Sequence, residues 1–154
     1  MPLNGYPVTQ EQVPKHLRGT RNGLTRWFGR AVLIVFGWNV VGTIPDVKRL
    51  LIIAAPHTSN WDFVFVMAAV LGLNLRLRWL GKHTIFKPGA VWFMRWLGGI
   101  PTNREQPEDI VQYVADLSNR EEGVAIGLAP EGTRKKVTRW KTGFLRIAKL
   151  LDCP

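Results

Sequence analysis

Apolar residues form two unbroken runs along the chain, and these runs predict buried strands. Residues 50–55 (LLIIAA) and 123–129 (GVAIGLA) are apolar over the length of a strand. A run of that length is typical of a strand covered on both faces, as in a parallel sheet. Residues 73–80 (LNLRLRWL) instead alternate between apolar and polar residues. This alternation predicts a strand with one wet face that carries Arg76 and Arg78.

Helical segments are predicted around these strands. A short amphipathic helix begins at Leu24, with Arg26 and Arg30 on its polar side. Further helices are predicted at residues 60–71, at residues 88–98, from residue 107 onward and at residues 144–151. Two shorter strands are predicted at residues 37–45, where Pro45 ends the strand, and near residues 99–103.

The alternation of strands and helices predicts an α/β fold with a mixed, largely parallel sheet flanked by helices. Residues 1–23 lack clear periodicity and are rich in Pro, Gly and polar residues. We therefore expect an irregular N-terminal arm at residues 1–23 and a single α/β domain at residues 24–154. The chain stops directly after the last predicted helix, where the alternation calls for one more strand. We expect a truncated chain, either a fragment or a naturally short form.

Positive charge dominates the first two-thirds of the sequence. The net charge is +10, and residues 1–100 carry 12 basic and three acidic side chains. Trp27, Trp79, Trp96 and Trp140 each lie beside a Lys or Arg. Such pairs suit a membrane–water interface, where indole rings lie at headgroup level and cations meet anionic lipids. They also suit nucleic acid, and a core tryptophan with a solvated neighbour is the third interpretation.

Two features bear on where the protein acts. The most apolar segment, residues 31–42, contains Asn39 and two glycines and is shorter than the ~20 residues that a membrane-spanning helix needs. It is expected to be buried or interfacial rather than to span a bilayer. Cys153 is the only cysteine. A single cysteine excludes an internal disulfide and a zinc site of several thiolates, and it indicates a reducing compartment.

The segment PHTSNWD, residues 56–62, follows the first buried strand and allows two interpretations. Ser59 and Asp62 match a capping box, in which a hydroxyl and an acid satisfy the first backbone amides of a helix. Alternatively, the strand end presents His57 in the crevice where α/β proteins bind ligands, and Asp62 orients the imidazole. A histidine paired in this way is a general base, which typically contributes about 10²–10⁴-fold to a rate.

No covalent nucleophile accompanies His57. The sequence has no Gly-x-Ser-x-Gly segment, and Cys153 lies at the end of the chain. The base is therefore expected to activate a substrate hydroxyl directly. His57, Asp62 and His83 lack the spacing of a metal site, so no metal is expected.

A second polar segment, APEGTRKK at residues 129–136, follows the other buried strand. Gly132 allows a close backbone approach to a ligand, and Thr133 provides a hydroxyl. Arg134 offers a planar fork that binds phosphate in a bidentate way. An ordinary basic turn, with Glu131 paired to Arg134, is the alternative interpretation.

Together the two segments resemble the glycerophospholipid acyltransferases, typified by lysophosphatidic acid acyltransferase. That family has an H-x-x-x-x-D block after an apolar strand, as His57 and Asp62 have here, and E-G-T-R downstream, as at residues 131–134. Residues 81–104 are similar to the family's intervening block. Its lysine, proline, glycine and closing arginine correspond to Lys82, Pro88, Gly99 and Arg104. KTGFLRIA is similar to the family's lysine-x-glycine helix, so the resemblance covers residues 35–151.

The resemblance implies transfer of an acyl group from acyl-CoA or acyl carrier protein to a hydroxyl of a glycerol-phosphate lipid, in phospholipid biosynthesis. It implies that His57 deprotonates the acceptor hydroxyl and that Asp62 orients His57. The residues implied to bind the acceptor and its phosphate are Lys82, Arg104, Glu131, Gly132, Thr133 and Arg134. No cofactor is implied beyond the acyl-thioester co-substrate. Asn103 stands where the family often has an acidic residue, which leaves the finer acceptor preference open.

A lipid substrate gives the positive charge and the Trp–cation pairs a common use. We expect a peripheral protein on the cytoplasmic face of a membrane, held by residues 24–42 and by exposed Trp–cation pairs. No nucleic-acid partner is expected on this interpretation. Two alternatives stay open: a basic nucleic-acid-binding module, and a lipid-binding pseudoenzyme that keeps the fold but lacks the terminal strand.

Overall fold

A computed structural model of the chain describes residues 7–56, 59–103, 107–132 and 138–153. The chain divides into two compact units, and each unit is formed from two separate stretches of sequence. The helical unit comprises Met1–Asp46 and Ser59–Arg76, and the sheet unit comprises Val47–Thr58 and Leu77–Pro154. The boundary between an arm and a single domain at residue 24 stays a prediction.

Two α-helices lie in the described part of the helical unit. α1 spans Gly23–Val35 and α2 spans Asn60–Leu73. Asn22 caps α1, because the Thr25 N–H donates to Asn22 Oδ1 at 3.0 Å. α2 ends where Asn74 takes a left-handed conformation, with a φ of 56°. Both predicted helices are confirmed, and α2 continues two residues beyond its expected end.

The N-terminal stretch of the helical unit is irregular but packed. It contains two 3-10 turns, Gln10–Gln12 and Lys15–Leu17. Val8, Val13 and Leu17 are at most 1% exposed. These three side chains therefore contribute to the apolar core of the helical unit.

The prediction of a strand at residues 37–45 is wrong. The structure has no strand in this segment. The Gln12 side-chain amide donates to the carbonyl groups of Val40 and Gly42 at 3.2 and 2.8 Å. The Ile44 N–H donates to the Gln12 carbonyl at 2.8 Å. These hydrogen bonds connect the segment to a short 3-10 turn rather than to a neighbouring strand. The segment therefore forms no regular ladder.

A four-stranded parallel sheet forms the centre of the sheet unit. Its strands are β1 (Arg49–Ile53), β2 (Leu77–Lys82), β3 (Gly99–Thr102) and β4 (Val124–Leu128), in the order β1-β4-β2-β3. All three pairings are parallel. β1 and β4 confirm the strands predicted from the two apolar runs.

Among the described residues of the sheet unit there are three α-helices: α3 (Val91–Trp96), α4 (Pro107–Arg120) and α5 (Gly143–Leu151). Side chains from α4 and α5 pack with those of β1 and β4 in one core, made of Leu51, Val114, Val124, Ile126, Ile147 and Leu151. β4 lies between β1 and β2, which explains why its sequence is apolar throughout. The predicted α/β fold, a largely parallel sheet flanked by helices, is confirmed. Within the described ranges, no helix is both long and apolar enough to cross a bilayer.

β2 differs from its prediction in position and in surroundings. It begins at Leu77 rather than at residue 73, because α2 continues through Leu73. β2 is also an inner strand of the sheet. Arg78 is half-buried, and its Nη2 lies 2.7 Å from Oε1 of Glu121. The alternation of this segment therefore reflects a partly buried ion pair as much as a wet face.

Candidate active site

The predicted site residues of the sheet unit follow the carboxyl ends of its four strands. Lys82 is the last residue of β2, and Glu131 and Gly132 come shortly after β4 ends at Leu128. β1 ends four residues before His57, and β3 ends two residues before Arg104. Because all pairings are parallel, these four strand ends lie at one edge of the sheet. His57, Arg104, Thr133 and Arg134 themselves lie outside the described residues.

The two sequence motifs are connected to neighbouring strands in matched register. Ile53, the last residue of β1, pairs with Leu128, the last residue of β4. One further hydrogen bond continues this pairing, because the Ala54 N–H donates to the Leu128 carbonyl at 2.9 Å. The His57-bearing and Glu131-bearing segments therefore leave the sheet side by side. Sequence spacing alone did not indicate this adjacency.

A tight turn follows β4. The Gly132 N–H donates to the Ala129 carbonyl at 3.2 Å, and the Lys141 N–H donates to the Pro130 carbonyl at 3.0 Å. Gly132 has a φ of +65°, a conformation that glycine adopts at no steric cost. Pro130 is buried, and Glu131 and Gly132 are half-buried. The start of the EGTR segment is thus held on both sides by backbone hydrogen bonds.

Lys82 lies at the exposed end of β2, beside the end of β3. It pairs in register with Thr102, and the Lys82 side chain is exposed. The Thr102 hydroxyl is buried and donates to the Gly81 carbonyl at 3.0 Å. This bond joins the strand ends that carry Lys82 and lead to Arg104. Sequence reasoning missed Thr102, for which the only signal was a polar residue that closes a short apolar strand.

Asp62 lies in the first turn of α2, in the helical unit. Its Oδ2 accepts a hydrogen bond from the Ser59 N–H at 2.7 Å, and the Trp61 N–H donates to Ser59 Oγ at 3.0 Å. The capping-box interpretation is therefore confirmed. The role of Asp62 as the residue that orients His57 stays a prediction, because His57 is outside the described residues.

The Trp–cation pairs divide into buried and exposed members. Trp79 is only 8% exposed, and its indole Nε1 donates to the Leu97 carbonyl at 3.2 Å. Trp79 therefore belongs to the core of the sheet unit. Trp27, Trp96 and Trp140 are exposed, as an interfacial role would require.

Other chemistry finds little support among the described residues. They contain no group of three or more His, Cys, Asp or Glu side chains placed to hold a metal ion. Burial raises the pKa of the Cys153 thiol, despite the opposing effects of a backbone hydrogen bond at Leu51 and of the Arg49 charge. A thiol with a raised pKa is a weak nucleophile at neutral pH.

The sequence matches a known protein family over most of its length. A family model described as Acyltransferase matches residues 38–154. No curated protein and no solved structure matches the chain. The family match covers the His57 and EGTR segments, both of which follow strands of the parallel sheet. The chain therefore belongs to the acyltransferase family, the family of glycerophospholipid acyltransferases such as lysophosphatidic acid acyltransferase.

Proposed function

We propose that the protein transfers a fatty acyl group from acyl-CoA or acyl carrier protein to a hydroxyl of a glycerol-phosphate lipid. The observation that carries the proposal is the family match across both motifs. The in-register pairing of β1 and β4 supports it, because this pairing starts the two motif-bearing segments at neighbouring points.

In the proposed reaction, His57 takes the proton from the acceptor hydroxyl as its oxygen attacks the thioester carbonyl. The tetrahedral intermediate then breaks its C–S bond and expels the thiolate, which accepts the proton from the imidazolium. The products are an ester and a free thiol. Asp62 would fix the tautomer of His57 and stabilise its charged form. No cofactor is needed besides the thioester.

Acceptor binding is assigned to the cationic residues at the same edge of the sheet. Arg134 and Arg104 would each grip the phosphate through a planar guanidinium, and Lys82 would add a point charge. Gly132 and Thr133 would offer a backbone approach and a hydroxyl, and Glu131 would contact the acceptor beside them. The exposed position of Lys82 at the end of β2 is compatible with this role.

The helical unit carries a surface suited to a membrane. Five apolar side chains on α1 are between 57% and 77% exposed: Leu24, Trp27, Phe28, Ile34 and Val35. Their spacing places them on one stripe of the helix, away from the buried Gly29 and Leu33. An apolar stripe of this kind lies in the plane of a bilayer interface. We propose that it holds the protein peripherally on the cytoplasmic face.

A thiol-release assay with acyl-CoA and lysophosphatidic acid tests the chemistry. The wild type should release thiol only when the acceptor is present, and His57→Ala should lower the rate by about 10²–10⁴-fold. His83→Ala is the matched control, because His83 is an exposed histidine outside the two motifs. Undiminished turnover in His57→Ala would exclude the proposed base.

The same assay separates the alternatives. A pseudoenzyme would bind lipid without releasing thiol. A nucleic-acid-binding module would release none, would bind nucleic acid with strong salt dependence, and would be indifferent to changes at His57. Arg134→Ala should chiefly raise KM for the phosphorylated acceptor. An equal or larger loss with an acceptor that lacks phosphate would contradict the phosphate-binding role.

A further inference from the structure

A second exposed apolar surface lies on the sheet unit. We call it the α3 patch: Trp92, Phe93 and Trp96 of α3. The three aromatic side chains are 68%, 42% and 46% exposed. Phe93 lies between the two indoles, with ring centroids 5.8 Å from Trp92 and 5.9 Å from Trp96. Contiguous exposed apolar surface of this kind marks an interaction site.

The α3 patch is not the packing face of its own segment. Other apolar residues anchor this segment to the sheet: Phe86 stacks on Trp79 with ring centroids 5.7 Å apart, and Leu97 is buried. The Gly98 carbonyl also accepts a hydrogen bond from the Trp79 N–H at 3.0 Å. One set of apolar side chains thus fixes the segment, and the α3 patch is the set that it presents outward.

Charge in the segment that carries the α3 patch is of one sign. Residues 63–104 contain no Asp or Glu. Lys82, Lys87 and Arg95, which lie in and beside this segment, are all exposed. Exposed tryptophans among cations, in a stretch of sequence without acidic residues, match the headgroup region of an anionic bilayer. This charge complementarity favours an anionic lipid surface over a neutral or basic protein partner.

α3 lies in the connection between the parallel strands β2 and β3. The segment leaves the sheet after Lys82, at the carboxyl end of β2, and re-enters it at Gly99, the first residue of β3. We propose that the α3 patch is a second membrane contact, carried by the sheet unit itself, and that it binds an anionic bilayer. The proposal rests on the proposed function insofar as the acceptor lipid is drawn from that bilayer.

Site-specific fluorescence tests the contact without requiring catalysis. In a Cys153→Ser background, Trp92→Cys provides a single thiol for an environment-sensitive dye. Tyr113→Cys is the matched control, because Tyr113 is an exposed aromatic on α4, a helix that carries Glu108 and Asp109 in its first turn. With phosphatidylcholine–phosphatidylglycerol vesicles, the dye at position 92 should shift to the blue and the dye at position 113 should not. Pure phosphatidylcholine should give a smaller shift.

Three results would overturn the proposal. One is vesicle binding with no blue shift at position 92, which would leave the membrane contact to the helical unit. Another is a shift that grows with protein concentration in the absence of vesicles, which would assign the α3 patch to a second copy of the chain. The third is an equal shift with single-stranded DNA at the same salt concentration, which would assign the patch to nucleic acid.

Substitutions measure the contribution of the α3 patch. Arg95→Gln should weaken binding to the anionic vesicles about fivefold, as expected for one cation at an anionic surface. The double variant Trp92→Ser, Phe93→Ser should weaken it at least about tenfold, and Tyr113→Ser should leave it unchanged. With a short-chain acceptor free in solution, the double variant should keep full thiol release. Loss of vesicle affinity without loss of this activity supports the patch, whereas unchanged vesicle affinity contradicts it. If the wild type releases no thiol but the vesicle results hold, only the proposed function fails.

Discussion

The backbone around Gly98 leaves no room for a side chain. It precedes β3 and has a φ of +92°. A Cβ at this position would lie 2.0 Å from the Leu77 carbonyl oxygen and 3.2 Å from its carbon. Leu77 cannot retreat freely, because it pairs with Ala125 in the β2–β4 ladder. Gly98→Ala must therefore displace the start of β3, the strand that leads to Arg104.

A second glycine allows the steric part of this cost to be isolated. Gly89 has nearly the same backbone conformation, with a φ of +88°, but a Cβ there would meet nothing within 4 Å. The unfavourable conformation alone should cost either alanine variant about 1–2 kcal/mol. The overlap in Gly98→Ala adds the loss of ladder hydrogen bonds at about 0.5–1.5 kcal/mol each and disturbed packing around Leu97. We expect a total loss of about 3–5 kcal/mol for Gly98→Ala.

Urea denaturation followed by far-UV circular dichroism measures both variants against the wild type. Gly98→Ala should lose at least about 2 kcal/mol more unfolding free energy than Gly89→Ala. Failure of Gly98→Ala to fold, with Gly89→Ala folded, would be the upper limit of the same expectation. Equal losses in the two variants would refute the reasoning, because the contact with Leu77 would then carry no cost.

Three further predictions concern stability and titration in the sheet unit. Ile126→Ala should lower the unfolding free energy by about 2–5 kcal/mol in urea denaturation, because Ile126 is fully buried in the core between β4 and its helices. Thr102→Val should lower it by about 1 kcal/mol, because the hydroxyl bond to Gly81 is lost, whereas Thr102→Ser should retain most of it. Alkylation of Cys153 by iodoacetamide should reach its half-maximal rate at a higher pH in the native than in the urea-unfolded protein, because burial raises its pKa.

The sign of the Cys153 effect on stability follows from its raised pKa. Above the ordinary value of 9.0, the folded state retains the thiol proton that the unfolded state loses. The stability linked to Cys153 is therefore fully present below that value. The free energy of unfolding should fall as the pH rises from the ordinary pKa toward the raised pKa of the folded state. Native alkylation that matches the unfolded profile would contradict the prediction. The Thr102 prediction would be contradicted if Thr102→Ser were as destabilised as Thr102→Val. The Ile126 prediction would be contradicted if the unfolding free energy of Ile126→Ala lay within about 0.5 kcal/mol of the wild type.

The buried strands were predictable because burial on both faces of a sheet requires a continuous run of apolar residues. β1 and β4 pair along their whole length, and the faces that pack on helices require apolar residues without interruption. The start of α2 was predictable for a different reason, since Ser59 and Asp62 satisfy local backbone groups only a few residues away. Local hydrogen bonding and full burial are both visible within short windows of sequence.

Features that depend on distant partners were not predictable. Residues 37–45 look like a strand, but Gln12 provides their hydrogen bonds from far along the chain. Arg78 looks solvated, but Glu121 pairs with it across more than 40 residues. The candidate site was predictable as a set of strand ends, whereas the adjacency of the two motifs required the β1–β4 register. The exposure of the α3 patch was also not predictable, because its sequence equally suits a buried helix.

Identification of the reaction product tests acyl transfer most directly. Wild-type protein and the variants His57→Ala and His83→Ala are incubated with palmitoyl-CoA and lysophosphatidic acid, and the lipids are analysed by mass spectrometry. The wild type and His83→Ala should form phosphatidic acid, with one palmitoyl group added to the acceptor, and His57→Ala should form none above background. Equal product in His57→Ala, or no acylated product from any glycerol-phosphate acceptor with either thioester donor in the wild type, would contradict the proposed function.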